Sequence, residues 1–175
     1  MTQPEVVEDL PVPAGRSGCP INLATELLGD RWSFVILRDL MFGGPRHYRD
    51  LLAGSREGIA SNILTSRLEK LTAVGLLTRH TDPGHRQKVR YRLAEPAIEL
   101  LPVLVALGVW GNRWLPADPE IGSTAAALHE GGERLQQCFM EELRAEHLEG
   151  REPDPAGLRA GFATPAHASR SSDRR

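Results

Sequence analysis

No run of about 20 apolar residues interrupts the chain's 175 positions, so no membrane-spanning helix is expected. Cysteine is scarce as well. Cys19 and Cys138 stand far apart, form no CxxC pair and match no zinc spacing, which argues against a disulfide scaffold or a structural metal site. The catalytic signatures GxGxxG, GxxxxGKS/T and HExxH are missing, and His129-Glu130-Gly131-Gly132-Glu133 lacks the second histidine of a metal motif. No serine or cysteine has a recognisable catalytic neighbour. No enzyme activity, cofactor or metal is therefore expected. The opening MTQPEVVEDLPVPAG is acidic and proline-bearing, without the basic start and apolar stretch of a secretory signal, so a cytoplasmic protein is expected.

Net charge is only −2 and gives no support to a nucleic-acid partner. Its distribution does. Between Arg46 and Arg92 stand ten basic residues against four acidic ones, whereas from Ala117 onward seven basic residues face eleven acidic ones. A basic middle in a mildly acidic chain is a local electrostatic footprint. The hydrophobic fraction of 41% is enough for a packed core.

Residues 1–18, broken by Pro4, Pro11, Pro13, Gly15 and Gly18, read as a flexible arm. Pro20 to Gly29 reads as a short helix, proline in its first turn and glycine as its stop. Asp30 suits the N-cap of a second helix, Arg31 to about Met41. A short helix near Tyr48–Leu52 precedes a turn. From about Ala60 to Val74 a further helix buries Ile59, Ile63, Leu64, Leu68, Leu71 and Val74, leaving a polar, uncrowded face. Leu76–Thr81 and Lys88–Leu93 read as two strands joined by a turn around Pro83-Gly84. In the second strand Val89, Tyr91 and Leu93 would pack inward while Lys88, Arg90 and Arg92 stay basic and solvent-facing.

Ala97 to about Leu115 reads as one long helix, apolar around most of its circumference. It needs a second covering surface, either the same helix of another subunit or the C-terminal segment. Ser123–Glu149 can form a helix, weakened or broken at Gly131-Gly132. From Gly150 the composition suggests a disordered tail. The expected organisation is an arm (1–18), a domain (19–116), a helical extension (117–149) and the tail (150–175).

The order of elements is that of a winged helix-turn-helix, mainly α with a small β-hairpin wing (α+β). Particular residues sharpen this: Cys19-Pro20, Leu28-Gly29-Asp30-Arg31-Trp32, Ile36-Leu37-Arg38-Asp39-Leu40, Gly58-Ile59, Leu64-Thr65-Ser66-Arg67-Leu68-Glu69-Lys70-Leu71, Gly75-Leu76-Leu77 and Leu107-Gly108-Val109-Trp110-Gly111. Together they resemble the HxlR family of bacterial regulators, relatives of the MarR type, over about Cys19 to Trp114. The resemblance implies a homodimer on a pseudo-palindromic double-stranded DNA operator; the expected function is that of a sequence-specific regulator, read here as a repressor. It implies dimerisation through the terminal helices of the domain, with Ile21, Leu104, Leu107, Trp110 and Trp114 as interface candidates. Some members respond to oxidants or electrophiles through a cysteine at the position of Cys19, so a small-molecule or oxidant effector is implied too. The chain departs from the usual pattern in its longer ending and in Ala60, where many relatives carry serine.

Ser61, Asn62, Thr65 and Ser66 are the candidates for groove contacts, since Asn bonds adenine bidentately and Ser or Thr serve several acceptors. Arg67 would touch phosphate or brace the domain through an internal ion pair. His85, Arg86, Gln87, Lys88 and Arg90 offer wing contacts to backbone or minor groove, and Arg46, His47 and Arg49 flanking phosphate contacts. Cys19 at a helix N-terminus is either a stabilised thiolate or a small packed residue. A rival reading is a winged-helix protein-interaction module without sequence-specific DNA binding.

Overall fold

The computed structural model describes residues 10–11, 17–82 and 85–162, with 82, 85–87 and 162 described in their backbone alone. Helix α1 (Pro20–Leu28) starts on its proline, and α2 (Arg31–Gly43) starts on Asp30. The Asp30 carboxylate accepts from the backbone N–H of Trp32 and Ser33 and from the Ser33 hydroxyl, so the expected cap forms. A two-residue strand β1 (Arg46–His47) leads into α3 (Tyr48–Ala53). Helix α4 (Ser61–Ala73) follows, its N-terminus at Ala60 without a side-chain cap. Strands β2 (Leu77–Asp82) and β3 (His85–Leu93) form the wing.

Strand β1 was not anticipated. It turns the hairpin into an antiparallel sheet of order β1-β3-β2, pairing Arg46 with Tyr91 and His47 with Arg90. Two residues are too few to show alternation, so only the pairing partner reveals the strand.

The helix expected from Ala97 to Leu115 is divided into α5 (Glu95–Ile98) and α6 (Leu101–Trp114). Pro102 is the physical reason, because a proline ring clashes with the carbonyl four residues back and cannot accept a continuous helix through Ile98. The extension divides too, into α7 (Pro119–Glu130), capped by Asp118, and α8 (Gly132–His147). Gly132 takes φ +65°, a conformation that ends the first helix at little cost to glycine.

The extension is part of the core. Phe139 and Leu143 are fully buried in the same cluster as Leu37, Leu40, Leu64 and Leu93, and the Phe139 ring lies 5.7 Å from that of Phe42. Burying such side chains contributes roughly 1.5–3 kcal/mol each. Polar links hold α8 to its neighbours. Arg144 Nε donates to Glu95 at 2.8 Å, and the Leu93 backbone N–H donates to His147 Nδ1 at 2.9 Å. The Glu142 carboxylate accepts from the N–H groups of Leu158 and Arg159, starting a short helix α9 (Leu158–Phe162) within the segment expected to lack structure. Arg159 then reaches the buried Glu146 carboxylate at 2.8 Å. A buried ion pair of this kind orders its segment because separating the two charges leaves one uncompensated. No described helix is long and apolar enough to cross a membrane.

Candidate nucleic-acid interface

Helix α4 turns Leu64, Leu68 and Leu71 into the core and leaves Ser61, Asn62, Thr65 and Ser66 exposed. This is the face the sequence pattern assigns to solvent, and its side chains are short enough for close approach to base edges. Thr65 is partly engaged: its hydroxyl lies 3.0 Å from the Ser61 carbonyl and 3.2 Å from the Tyr48 hydroxyl. Its proton is used within the protein, so toward a base it can only accept.

Tyr48 is the residue that sequence reasoning missed. From the first turn of α3 its hydroxyl donates to the Ser61 carbonyl at 2.9 Å, tying α3 to the start of α4. The visible signal was an aromatic residue opening the helix before α4.

Arg67 takes the internal of its two expected roles. Its Nε donates to Asp30 at 2.8 Å, and Lys70 Nζ approaches the same carboxylate at 3.3 Å. Burial raises the Asp30 pKa, but the hydrogen bonds from Ser33 and Arg67 and the Arg67 charge outweigh it, leaving it at about 2. The cap of α2 therefore also anchors the middle of α4. Arg38 is likewise committed, bonded to both Asp39 and Glu57.

The flanking cations divide. Arg49 is exposed as expected. His47 instead caps α3, its backbone N–H and Nδ1 both close to Asp50 Oδ2, at 3.2 and 3.1 Å. Arg46 is half-buried, its guanidinium lying against Gly43 of α2.

On the wing, Lys88 is exposed, but Arg90 and Arg92 are half-buried. The outer face of β3 is thus less solvent-facing than its alternation suggests. The end of α8 covers it: a Cβ at Gly150 would lie 3.0 Å from Arg92 Nη1, and Arg92 points at the His147 carbonyl. Leu93 is buried, while Val89 and Tyr91 are half-buried, with Arg79 over the Tyr91 ring. The side chains of His85, Arg86 and Gln87 lie outside the described residues.

Of the interface candidates, Ile21, Leu107, Trp110 and Trp114 are exposed, and Leu115 and Val103 join them. Leu104 does not, because it is buried in this chain's own core. Helix α7 packs along α6 and covers one side of it, which is the second of the two coverings considered for that helix, yet the aromatic side stays open. Cys19 is exposed at the N-cap of α1, and Cys138 is exposed on α8.

The HxlR-like helix-turn-helix family matches residues 27–119. The uncharacterised HTH-type transcriptional regulator Rv3095 of Mycobacterium tuberculosis is 33% identical over 152 residues, covering 84% of this chain and 92% of that protein. A match of that extent must run through α7 and α8, so the extension has a counterpart there. The regulator sll1512 of Synechocystis is 36% identical over 97 residues, covering 55% of this chain and 70% of its own. Among solved structures, the candidate transcription factor PA1607 superposes with a TM-score of 0.53 at 30% identity, covering 59% of this chain and 70% of that one. The redox regulator HypR in its oxidised form shares the fold, with a TM-score of 0.51 at 23% identity over 57% of this chain and the whole of that one.

Proposed function

The chain belongs to the HxlR-like helix-turn-helix family of transcriptional regulators, and from that premise we propose that it is a repressor, binding a pseudo-palindromic operator as a homodimer. The observation that carries the reading is the open start of α4, where Ser61, Asn62 and Ser66 stand exposed on a helix anchored from behind by Tyr48 and Asp30. A rigidly held helix end with short polar side chains suits the major groove, while Lys88 on the wing suits a flanking phosphate. The dimer reading rests on the apolar residues left open on α1 and α6, which need a cover of the size a partner subunit supplies. Exposed Cys19, at the mouth of α1, is the proposed site of an oxidant response.

The test is binding of the purified chain to its own upstream DNA at several salt concentrations. Asn62→Ala should relax preference at one base position and cost about 1–3 kcal/mol there. Lys88→Ala should weaken all sequences alike and flatten the salt slope by about one unit. A pair of half-sites about 34–36 Å apart is expected. Absence of any sequence-specific complex would overturn the proposal. For Cys19, equal loss of operator binding by wild type and Cys19→Ser under a mild oxidant would remove the sensor role.

A further inference from the structure

Of the exposed polar side chains at the start of α4, Thr65 has its hydrogen-bonding direction fixed by the fold. Ser61 and Asn62 make no side-chain hydrogen bond among the described residues, and the Ser66 hydroxyl meets Arg67 Nη1 at 3.4 Å. Each of these can still turn a proton or a lone pair toward DNA. Thr65 cannot. Its hydroxyl oxygen, the Tyr48 hydroxyl and the Ser61 carbonyl form a triangle with sides of 2.9, 3.0 and 3.2 Å. Only the two hydroxyls carry protons, and the carbonyl can only accept. That carbonyl lies in the first turn of α4, where the helical pattern already gives it the Thr65 backbone N–H. Tyr48 fills its remaining lone pair at 2.9 Å. The Thr65 proton therefore rests best on the Tyr48 oxygen, 3.2 Å away, which leaves lone pairs for whatever approaches this exposed side chain.

Resting on the regulator reading, we propose that this triangle sets the chemical class of one operator base. The base facing Thr65 carries an amino group in the major groove, so it is adenine or cytosine, and Tyr48 is the positioning residue behind that choice. Adenine N6 and cytosine N4 donate to an oxygen that has only lone pairs to offer. Guanine O6 and N7 and thymine O4 accept. Each would meet lone pair with lone pair, or would draw the Thr65 proton outward and strip the Tyr48 oxygen of it. Losing one hydrogen bond of this kind corresponds to a complex weaker by about three- to tenfold. The Thr65 methyl offers a rival contact, to the thymine methyl, and that contact favours thymine.

In the test, the full chain selects a duplex from a random-sequence pool. Each position of that duplex is then varied singly and titrated with wild type and with Thr65→Val, which keeps the methyl and drops the hydroxyl. At one position wild type should favour adenine or cytosine over guanine and thymine by about three- to tenfold, and Thr65→Val by less than about twofold. The amino group is then removed alone, with deoxynebularine in place of that adenine or a pyrimidinone nucleoside in place of that cytosine. Wild type should weaken by the same factor and Thr65→Val by less than about twofold. The change in base-pair strength is common to both proteins and cancels. Tyr48→Phe should lower affinity for every duplex and also narrow the preference at that one position. A Tyr48→Phe protein with lower affinity and an unchanged ratio removes Tyr48 from the proposal. A Thr65-dependent preference for guanine or thymine overturns the polarity. Identical profiles for wild type and Thr65→Val, a retained thymine preference included, overturn the role of Thr65. A chain that forms no sequence-specific complex removes the regulator reading itself, whereas a specific complex with the wrong base class removes only the proposal about Thr65.

Discussion

His147 makes the stability of this protein depend on pH as the pH falls below the ordinary histidine range. The ring is 1% exposed, and its Nδ1 accepts the Leu93 backbone N–H, a bond that requires that nitrogen to be unprotonated. Burial, together with the charges of Arg159 and Arg92, lowers its pKa from 6.5 to about 3, against a smaller upward pull from the Leu40 backbone. In the unfolded chain the same ring takes up a proton near pH 6.5. Its contribution is therefore complete above pH 6.5, shrinks as pH falls, and is gone once pH has passed through about 3. At about 1.4 kcal/mol per pH unit, lowering pH from 7.5 to 5 should cost about 2 kcal/mol, and the whole window at most about 5 kcal/mol. The assay is urea unfolding at pH 7.5, 6.5, 5.5 and 5 of wild type and His147→Gln, values chosen to bracket the ordinary histidine range. The glutamine amide oxygen can accept the Leu93 N–H but does not titrate. Wild type should lose about 2 kcal/mol more than the variant between pH 7.5 and 5. Equal losses would refute the argument, because carboxylates elsewhere are common to both proteins.

Four further outcomes are expected. Asp30→Ala removes the cap of α2 and the anchor of α4, and should cost about 1–2 kcal/mol in urea unfolding, with Asp30→Asn costing less. Because that carboxylate has a lowered pKa of about 2, its contribution should hold above pH 3.8 and disappear as pH falls through 2. Tyr48→Phe should lose about 0.5–1.5 kcal/mol in thermal unfolding and weaken operator binding without altering its salt slope. Arg159→Ala, which strands the Glu146 carboxylate in the core, should cost about 3–5 kcal/mol, and the double change Glu146→Gln with Arg159→Met distinctly less. Trp110→Glu should yield a monomer by light scattering with its helical content retained, since Trp110 is exposed in the single chain.

Much of the fold was legible because its signals are local. Asp30 before an apolar helix, the stripe Leu64, Leu68 and Leu71, and the alternation before Leu93 each express a period or a cap that a few neighbouring residues specify. The open polar face of α4 follows from the same stripe by subtraction. The losses were non-local. Which of two acceptors Arg67 would choose depended on Asp30, 37 residues away, arriving beside it. Whether Arg46 would face solvent depended on Gly43 lying beside it, and whether Arg92 would stay open depended on the end of α8. The tail reading missed α9 because its polar, proline-bearing lead-in gives no periodic signal. The helix exists through the Glu142 cap and the Arg159–Glu146 pair.

Sequence alone therefore determined the order of α1, α2, α3, α4 and the two wing strands, the exposed polar face of α4, and the family. Each follows from periodicity, caps and turn residues carried within a short window of chain. Only the tertiary structure decided which charges are spent inside the protein and which stay exposed. An arginine's role is set by the carboxylate or solvent it meets, and that meeting is fixed by packing between distant segments. Arg67, Arg46 and Arg92 look alike in the sequence and differ entirely in the fold, because Asp30, Gly43 and α8 lie where only the folded chain can put them.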